Sequence, residues 1–192
     1  MLAHLPSSIG HALRRVRPGL EKIVFHDPDI GTAISLSVCS NAFADGGLLA
    51  VRHTADGDKL SPPIEWHDVP AAARSTVVLV EDADSPPPKP LVHAIVWNLP
   101  GRDGNLAEGA LSVEPSIDSA ELGPNSCFQH AYLPPDPPPG HGPHRYAFQV
   151  FALDCVPDCD EAPGRGKLLD LLRGHVLASG LLVGTYERRR AS

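Results

Sequence analysis

Residues 81–100 read EDADSPPPKPLVHAIVWNLP. Two carboxylates, Asp82 and Asp84, stand two apart at the opening. The prolines Pro86, Pro87, Pro88 and Pro90 follow, and an apolar run from Leu91 to Leu99 carries His93 near its start. Ahead of it lies a second apolar run, Thr76 to Val80. The layout is strand, polar turn, strand. Residues i and i+2 of a strand share a face, so an extended chain brings Asp82 and Asp84 together. The prolines restrict φ and remove backbone donors, which stiffens the turn. Thr76–Val80 is continuous rather than alternating, the pattern of a strand buried on both faces.

Working outward, residues 134–151 repeat the design: PPDPPPGHGPHRYAFQVF is a proline-rich loop entering a strand. His144 and Tyr146 lie two apart at its start and share a face, with Arg145 directed to the other. Ile34 to Cys39 alternates in part and opens the sheet. Lys59 to Pro63 is an extended loop leading to Ile64, Trp66 and Val69, and Trp66 reads as packing. Residues 101–124 form a long connection of low pattern content. After Asp154 the period changes. Leu168, Leu171, Leu172, Val176 and Leu177 lie at helical spacing, which predicts one or two helices over 167–178 with a break at Gly174. Near the start, Ser8 to Arg17 reads as a short amphipathic helix capped by Ser7 or Ser8 and stopped by Pro18-Gly19.

The two proline-bordered segments together resemble the phosphatidylethanolamine-binding protein family, also called the Raf kinase inhibitor protein family, in its bacterial branch. The resemblance rests on Asp82-Ala83-Asp84-Ser85-Pro86, on His93 to Pro100 and on Gly142-Pro143-His144-Arg145-Tyr146. Leu60-Ser61-Pro62-Pro63 with Trp66, Gly123 to Ser126 and Gly184 to Arg188 support it in the same order. It implies a mainly β fold: an antiparallel, Greek-key β-sandwich with a short N-terminal helix and C-terminal helices. It divides the chain into an arm over 1–20, one domain over 21–188 and a basic tail over 189–192. It also implies a small anion pocket lined by Asp82, Asp84, Pro86, His93, His144 and Tyr146, with Pro137 and Pro138 on the rim and Tyr186 a further candidate. The ligand implied is a phosphate-bearing small molecule or phospholipid headgroup, and the role that of a kinase- or protease-inhibitor-like regulator. No cofactor is implied, and a homodimer with residues 8–17 as a contact is expected. The chain departs from the family pattern at Ala83, where proline is usual, and at Asp136, where glycine is usual. The first is expected to loosen the turn at Asp84, the second to weaken anion binding.

Carboxylates near an imidazole favour its charged form, so His93 and His144 are expected to donate to an anion while Asp82 or Asp84 holds one ring. Alternatively, the acids meet a ligand ammonium. Two His and two Asp are also a possible zinc set, which keeps a metal-dependent hydrolase as the alternative. No H-E-x-x-H or G-x-S-x-G motif is present, and no catalytic residue is assigned.

The bulk numbers narrow the classes. The chain has 192 residues and a net charge of −7. Six of its 16 basic residues lie in the terminal segments 1–17 and 188–192, which hold no acid. Residues 18–187 therefore carry 10 bases against 23 acids, a net of −13. An acidic body argues against nucleic-acid binding, which needs phosphate-neutralising bases. The terminal arginines read as solvated or as subunit contacts. No apolar run approaches the roughly 20 residues of a membrane span, and the start lacks a signal-peptide core, so a cytoplasmic location is expected. Cys39, Cys127, Cys155 and Cys159 are expected to be reduced thiols.

Overall fold

The computed structural model describes residues 7–32, 34–111 and 120–188. Among these residues, eight strands make two antiparallel sheets. The small sheet has the order β1-β2-β5, from β1 (Ser37–Cys39), β2 (Ile64–His67) and β5 (Gly104–Leu106). The large sheet has the order β6-β4-β3-β7-β8. Its strands are β3 (Ser75–Asp82), β4 (Leu91–Pro100), β6 (Glu121–Gly123), β7 (His144–Leu153) and β8 (Val176–Tyr186).

β3 is central and wholly buried, and its side chains divide between two cores. Val78 and Val80 face the small sheet, with Ala94, Val96, Val150 and Trp66 in one cluster. Val77 and Leu79 face the opposite layer, with Trp97, Phe151 and the helix residues Leu168 and Leu172. That second cover is α2 (Arg165–Leu172) together with the 3-10 turn Val24–His26. A strand covered on both faces has no polar side to show, which explains the unbroken apolar run in the sequence. Glu81, just past that run, is buried and paired through both carboxylate oxygens. Its Oε2 accepts from Val24 N and Gln149 Nε2, both at 2.9 Å, and its Oε1 from Arg165 Nε at 2.6 Å. Trp66 packs as expected, its indole donating to Arg102 O at 3.0 Å.

Two helical expectations are corrected. The helix over 167–178 stops at Leu172. Gly174, at φ 75°, reverses the chain, and Val176 onward is β8, paired with β7 from Leu153↔Val176 to His144↔Tyr186. The leucine spacing suits a helix, but the backbone bonds and burial offered by β7 outweigh that preference. The first helix, α1 (Ser7–Leu13), is shorter than residues 8–17. Its Leu13 carbonyl accepts from Val16 N at 2.7 Å, a tighter turn that ends it. Short strands β5 and β6 stand within the weakly patterned 101–124 stretch. The four cysteines are unpaired. No helix among the described residues is long and apolar enough to cross a membrane. The tail over 189–192 lies outside the described residues, as do residues 1–6 of the arm.

Candidate functional site

The site forms where three neighbouring strands meet their loops. β3 ends at Asp82, β7 begins at His144 and β4 carries His93 near its start, while β3 pairs with both neighbours. Strand order therefore brings together residues 62 positions apart in the chain. Asp82 Oδ2 accepts from His144 Nδ1 at 2.7 Å. Its Oδ1 accepts the main-chain N–H of Asp84 at 2.8 Å, so Asp82 also shapes the turn, as Asp does in turns generally. His144 Nε2 lies 2.7 Å from His141 Nδ1, and His141 Nε2 lies 2.9 Å from the carbonyl of Leu13 at the end of α1.

His93 differs from the expectation of a charged donor. Its Nδ1 lies 2.5 Å from Leu133 O, which only accepts, so that nitrogen carries the proton. Its Nε2 is buried without a partner. Burial is the dominant influence and holds the imidazole below its usual pKa, against the pull of the Asp82 charge. His93 is thus a neutral ring with an unused acceptor. Tyr146 packs edge-on against His93, with centroids 5.1 Å apart, and its buried hydroxyl is likewise unpartnered. Burial first, and Asp82 second, push that phenol well above its ordinary pKa, so it remains a donor.

Asp84 is fully buried but belongs to a separate arrangement. Arg145 grips it bidentately, Nε to Oδ2 and Nη2 to Oδ1, each at 2.7 Å, and the Arg145 N–H adds a third bond at 2.9 Å. Arg17 approaches at 3.3 Å. Burial works against the charge of Asp84, but the hydrogen bonds and charge of Arg145 outweigh it and hold the carboxyl below the ordinary value. Ala83 is held in the turn at both of its backbone polar groups. Its N–H donates to Arg145 O at 2.9 Å and its carbonyl accepts from Gly19 N at 2.8 Å. A proline there has no N–H for the first bond.

These groups border a cavity of about 120 Å³. Asp82, His93 and His144 line it together with Ser85, Asp136 and Cys127. Pro86, Pro137, Leu91, Leu133 and Pro134 make the rest apolar. Of the residues expected from sequence, Asp82, Pro86, His93, Pro137 and His144 line it. Asp84, Pro138, Tyr146 and Tyr186 do not. Asp84 is turned toward Arg145, Tyr146 sits behind the two rings, and Tyr186 donates its hydroxyl to Asp56 at 2.7 Å. The sequence reading missed Leu91, Leu133, Cys127, Ser85 and His141. For His141 a signal existed, since it stands three residues before His144 in the same glycine-rich turn.

Two terminal arginines are structural rather than solvated. Arg188 pairs with Asp136 at 2.7 Å and with Asp56 at 2.8 Å, and donates to Pro137 O at 3.0 Å. The acid at the rim therefore stands against a guanidinium. Arg17 donates to His141 O at 2.5 Å and to Pro143 O at 2.7 Å.

The donor inventory decides what the cavity offers. Both nitrogens of His144 and both oxygens of Asp82 are engaged. Among the ring nitrogens on the wall, His93 Nε2 is the one left as an unpartnered acceptor. The four groups counted as a zinc set do not converge, because Asp84 is committed to Arg145. Among the described residues the clusters with metal-ligand spacing are Cys39–Glu65–His67 and Asp154–Cys155–His175, both away from the cavity.

Comparison with known proteins places this geometry in context. Residues 39–187 match the family model described as phosphatidylethanolamine-binding protein. A UPF0098 protein of Chlamydia trachomatis is 37% identical over 157 residues, covering 80% of this chain and 99% of its own. One from Methanothermobacter thermautotrophicus is 33% identical over 153 residues, with the same two coverages. Among solved structures, a phosphatidylethanolamine-binding protein homolog from Chlamydia trachomatis superposes with a TM-score of 0.73 at 37% identity, over 81% of this chain and 99% of that one. E. coli YbcL, described as a new member of the mammalian family, gives a TM-score of 0.73 at 26% identity, over 80% and 99%.

Proposed function

The chain belongs to the phosphatidylethanolamine-binding protein family, and from that premise we propose that it binds a small phosphoryl-bearing ligand in the cavity beside Asp82, His93 and His144, without making or breaking a bond. The observation that carries this reading is His93 Nε2, a buried, unpartnered acceptor on the wall of a small, mostly apolar cavity. A buried polar atom without a partner is costly, and a ligand that satisfies it gains affinity. About 120 Å³ is below the size of drug-sized sites and suits a headgroup rather than a whole lipid.

The acceptor also specifies how a phosphoryl group enters. A bare dianion would meet a lone pair. A monoanion brings its own proton to Nε2, or His93 takes one up as the anion arrives. The proton count is the same in both cases. Binding is therefore linked to one proton, and affinity rises as pH falls. The ammonium alternative has less support, because Asp82 already faces the His144 ring N–H and the Asp84 N–H, and Asp136 is paired with Arg188. A kinase or protease target would use the same cavity, through a phosphorylated or anionic side chain presented to it.

The test is a calorimetric titration of inorganic phosphate and of O-phosphorylethanolamine at pH 6 and pH 8, in two buffers of different ionisation heat. Following the His93 and His144 ring resonances in parallel locates the ligand. The expected result is saturable shifts in both rings, tighter binding at pH 6, and uptake of close to one proton at pH 8 that shrinks at pH 6, where much of the free ligand already carries that proton. Silence in both rings up to about 10 mM, an affinity weaker than roughly 2.7 kcal/mol, would remove the reading.

A further inference from the structure

Three hydrogen bonds join the cavity to the N-terminal arm in one line: Asp82 Oδ2 to His144 Nδ1, His144 Nε2 to His141 Nδ1, and His141 Nε2 to the Leu13 carbonyl. The protons on this line can be counted. A carbonyl only accepts, so His141 Nε2 carries a proton. An ionised carboxylate only accepts, so His144 Nδ1 carries another. The bond between the rings needs a third. Two neutral imidazoles hold two N–H protons in total, so the line holds one more than that. Its positive charge lies against Asp82.

We propose that His141 and the Leu13 carbonyl are positioning elements of the ligand cavity, through which docking of the arm over residues 7–17 keeps the His144 ring doubly protonated. While Leu13 is in place, His141 must present bare Nδ1 to His144 or be charged itself. Withdraw the arm, and water replaces the carbonyl. Water both donates and accepts, so His141 is free to carry its proton on Nδ1 and offer it to His144 Nε2. The third proton is then no longer required, and the charge that offsets Asp82 beside the ligand is lost. Docking of the arm and protonation of the pair are coupled, and the coupling is reciprocal.

The surroundings agree with this assignment. Burial is the first influence on His141 and holds its pKa below the usual value, with His144 and Arg17 acting in the same direction and the Leu13 carbonyl and Asp82 opposing them. Of the two rings it is His144 that touches the carboxylate, at 2.7 Å, and the geometry sets the extra proton of the line there. Arg14 is the other cation close by, 3.7 Å from where a Cβ on Gly142 would stand. The arm is closely seated. Gly10 faces Pro139, and a Cβ added to Gly10 would lie 2.1 Å from the Pro139 carbonyl oxygen. Arg17 clamps the carbonyls of His141 and Pro143 from the same segment.

This inference rests on the cavity being the ligand site, and the test separates the two. Gly10→Ala undocks the arm, and with it the Leu13 carbonyl, while leaving the side chains of Asp82, His144 and His141 unaltered. Gly31→Ala is the matched control, since a Cβ there meets nothing within 4 Å. His141→Phe removes the link, and His141→Gln restores it, because an amide accepts from His144 and donates to Leu13. Ring ¹⁵N spectra at pH 7 read the protonation of His144, and inorganic phosphate is the titrant. Wild type, Gly31→Ala and His141→Gln are expected to show both His144 nitrogens protonated. Gly10→Ala and His141→Phe are expected to move toward the neutral ring and to bind phosphate about fivefold more weakly, the scale of one hydrogen bond. Should His141→Phe fail to fold, Gly10→Ala decides, since the arm lies outside both sheets. A His144 signature unchanged by Gly10→Ala overturns the proposal even if phosphate binds. Phosphate silence with the ring signatures moving as described refutes the cavity reading and leaves the coupling standing.

Discussion

Asp84→Asn isolates the buried ion pair from the cavity it adjoins. The asparagine keeps the shape and one acceptor oxygen, which can still take the Arg145 main-chain N–H. It replaces the other oxygen with an NH₂ group that cannot accept from the guanidinium, and it removes the charge facing Arg17 at 3.3 Å. Hydrogen bonds to charged groups contribute roughly 1.5–3 kcal/mol each. The Arg145 side chain is 40% exposed and rehydrates when released, which discounts its share. The Asp84 side is fully buried, so its half of the loss remains. The expected destabilisation is about 2–4 kcal/mol. Urea unfolding measures it, as a lower midpoint at unchanged m-value. The pH dependence gives a second reading. The folded carboxyl of Asp84 titrates below its unfolded value of about 3.9, so its stabilisation is complete above that value and lost as pH falls through the folded pKa. The variant should lose less stability than wild type across that acid window, while phosphate binding near neutrality stays within twofold. A cost under about 0.5 kcal/mol, the scale of an ordinary surface substitution, would refute the pairing argument.

Three more outcomes follow from the same geometry. Ala83→Pro, although it restores the usual family residue, is expected to destabilise by about 1–3 kcal/mol by leaving Arg145 O without its donor, read by thermal unfolding. Arg188→Ala removes the guanidinium that stands 2.7 Å from Asp136 at the rim, and phosphate affinity should fall about fivefold, with a smaller loss at high salt, read by calorimetry. The lowered pKa of His93 means that the unfolded chain binds its proton first as pH drops below about 6.5. Stability should therefore fall with pH from that point until the folded ring also protonates, and His93→Gln should flatten the slope in chemical denaturation.

The sequence by itself carried the parts of this protein that are local. The continuous Thr76–Val80 run announced a strand covered on both faces, and β3 lies between two cores. The turns around Asp82 and His144 were legible because proline and glycine punctuate them. The i, i+2 rule placed Arg145 opposite His144, where it holds Asp84. The rest depended on which strands are neighbours. The leucines after Leu172 suit a helix as well as a strand, and only the ladder offered by β7 made them β8. Asp82 and Asp84 look alike in sequence, yet one faces the cavity and the other a guanidinium, because β3 ends at Asp82 and the turn that follows carries Asp84 to the Arg145 side. Whether His93 is a charged donor or a neutral acceptor was set by burial and by a carbonyl 40 residues away. Arg17 and Arg188 read as solvated ends or subunit contacts, and became clamps on the cavity loops once folding brought His141, Pro143, Asp136 and Pro137 to them. Residue type and local spacing specify what a group can do. Its protonation and its partner are set by long-range contacts, which a linear pattern does not carry.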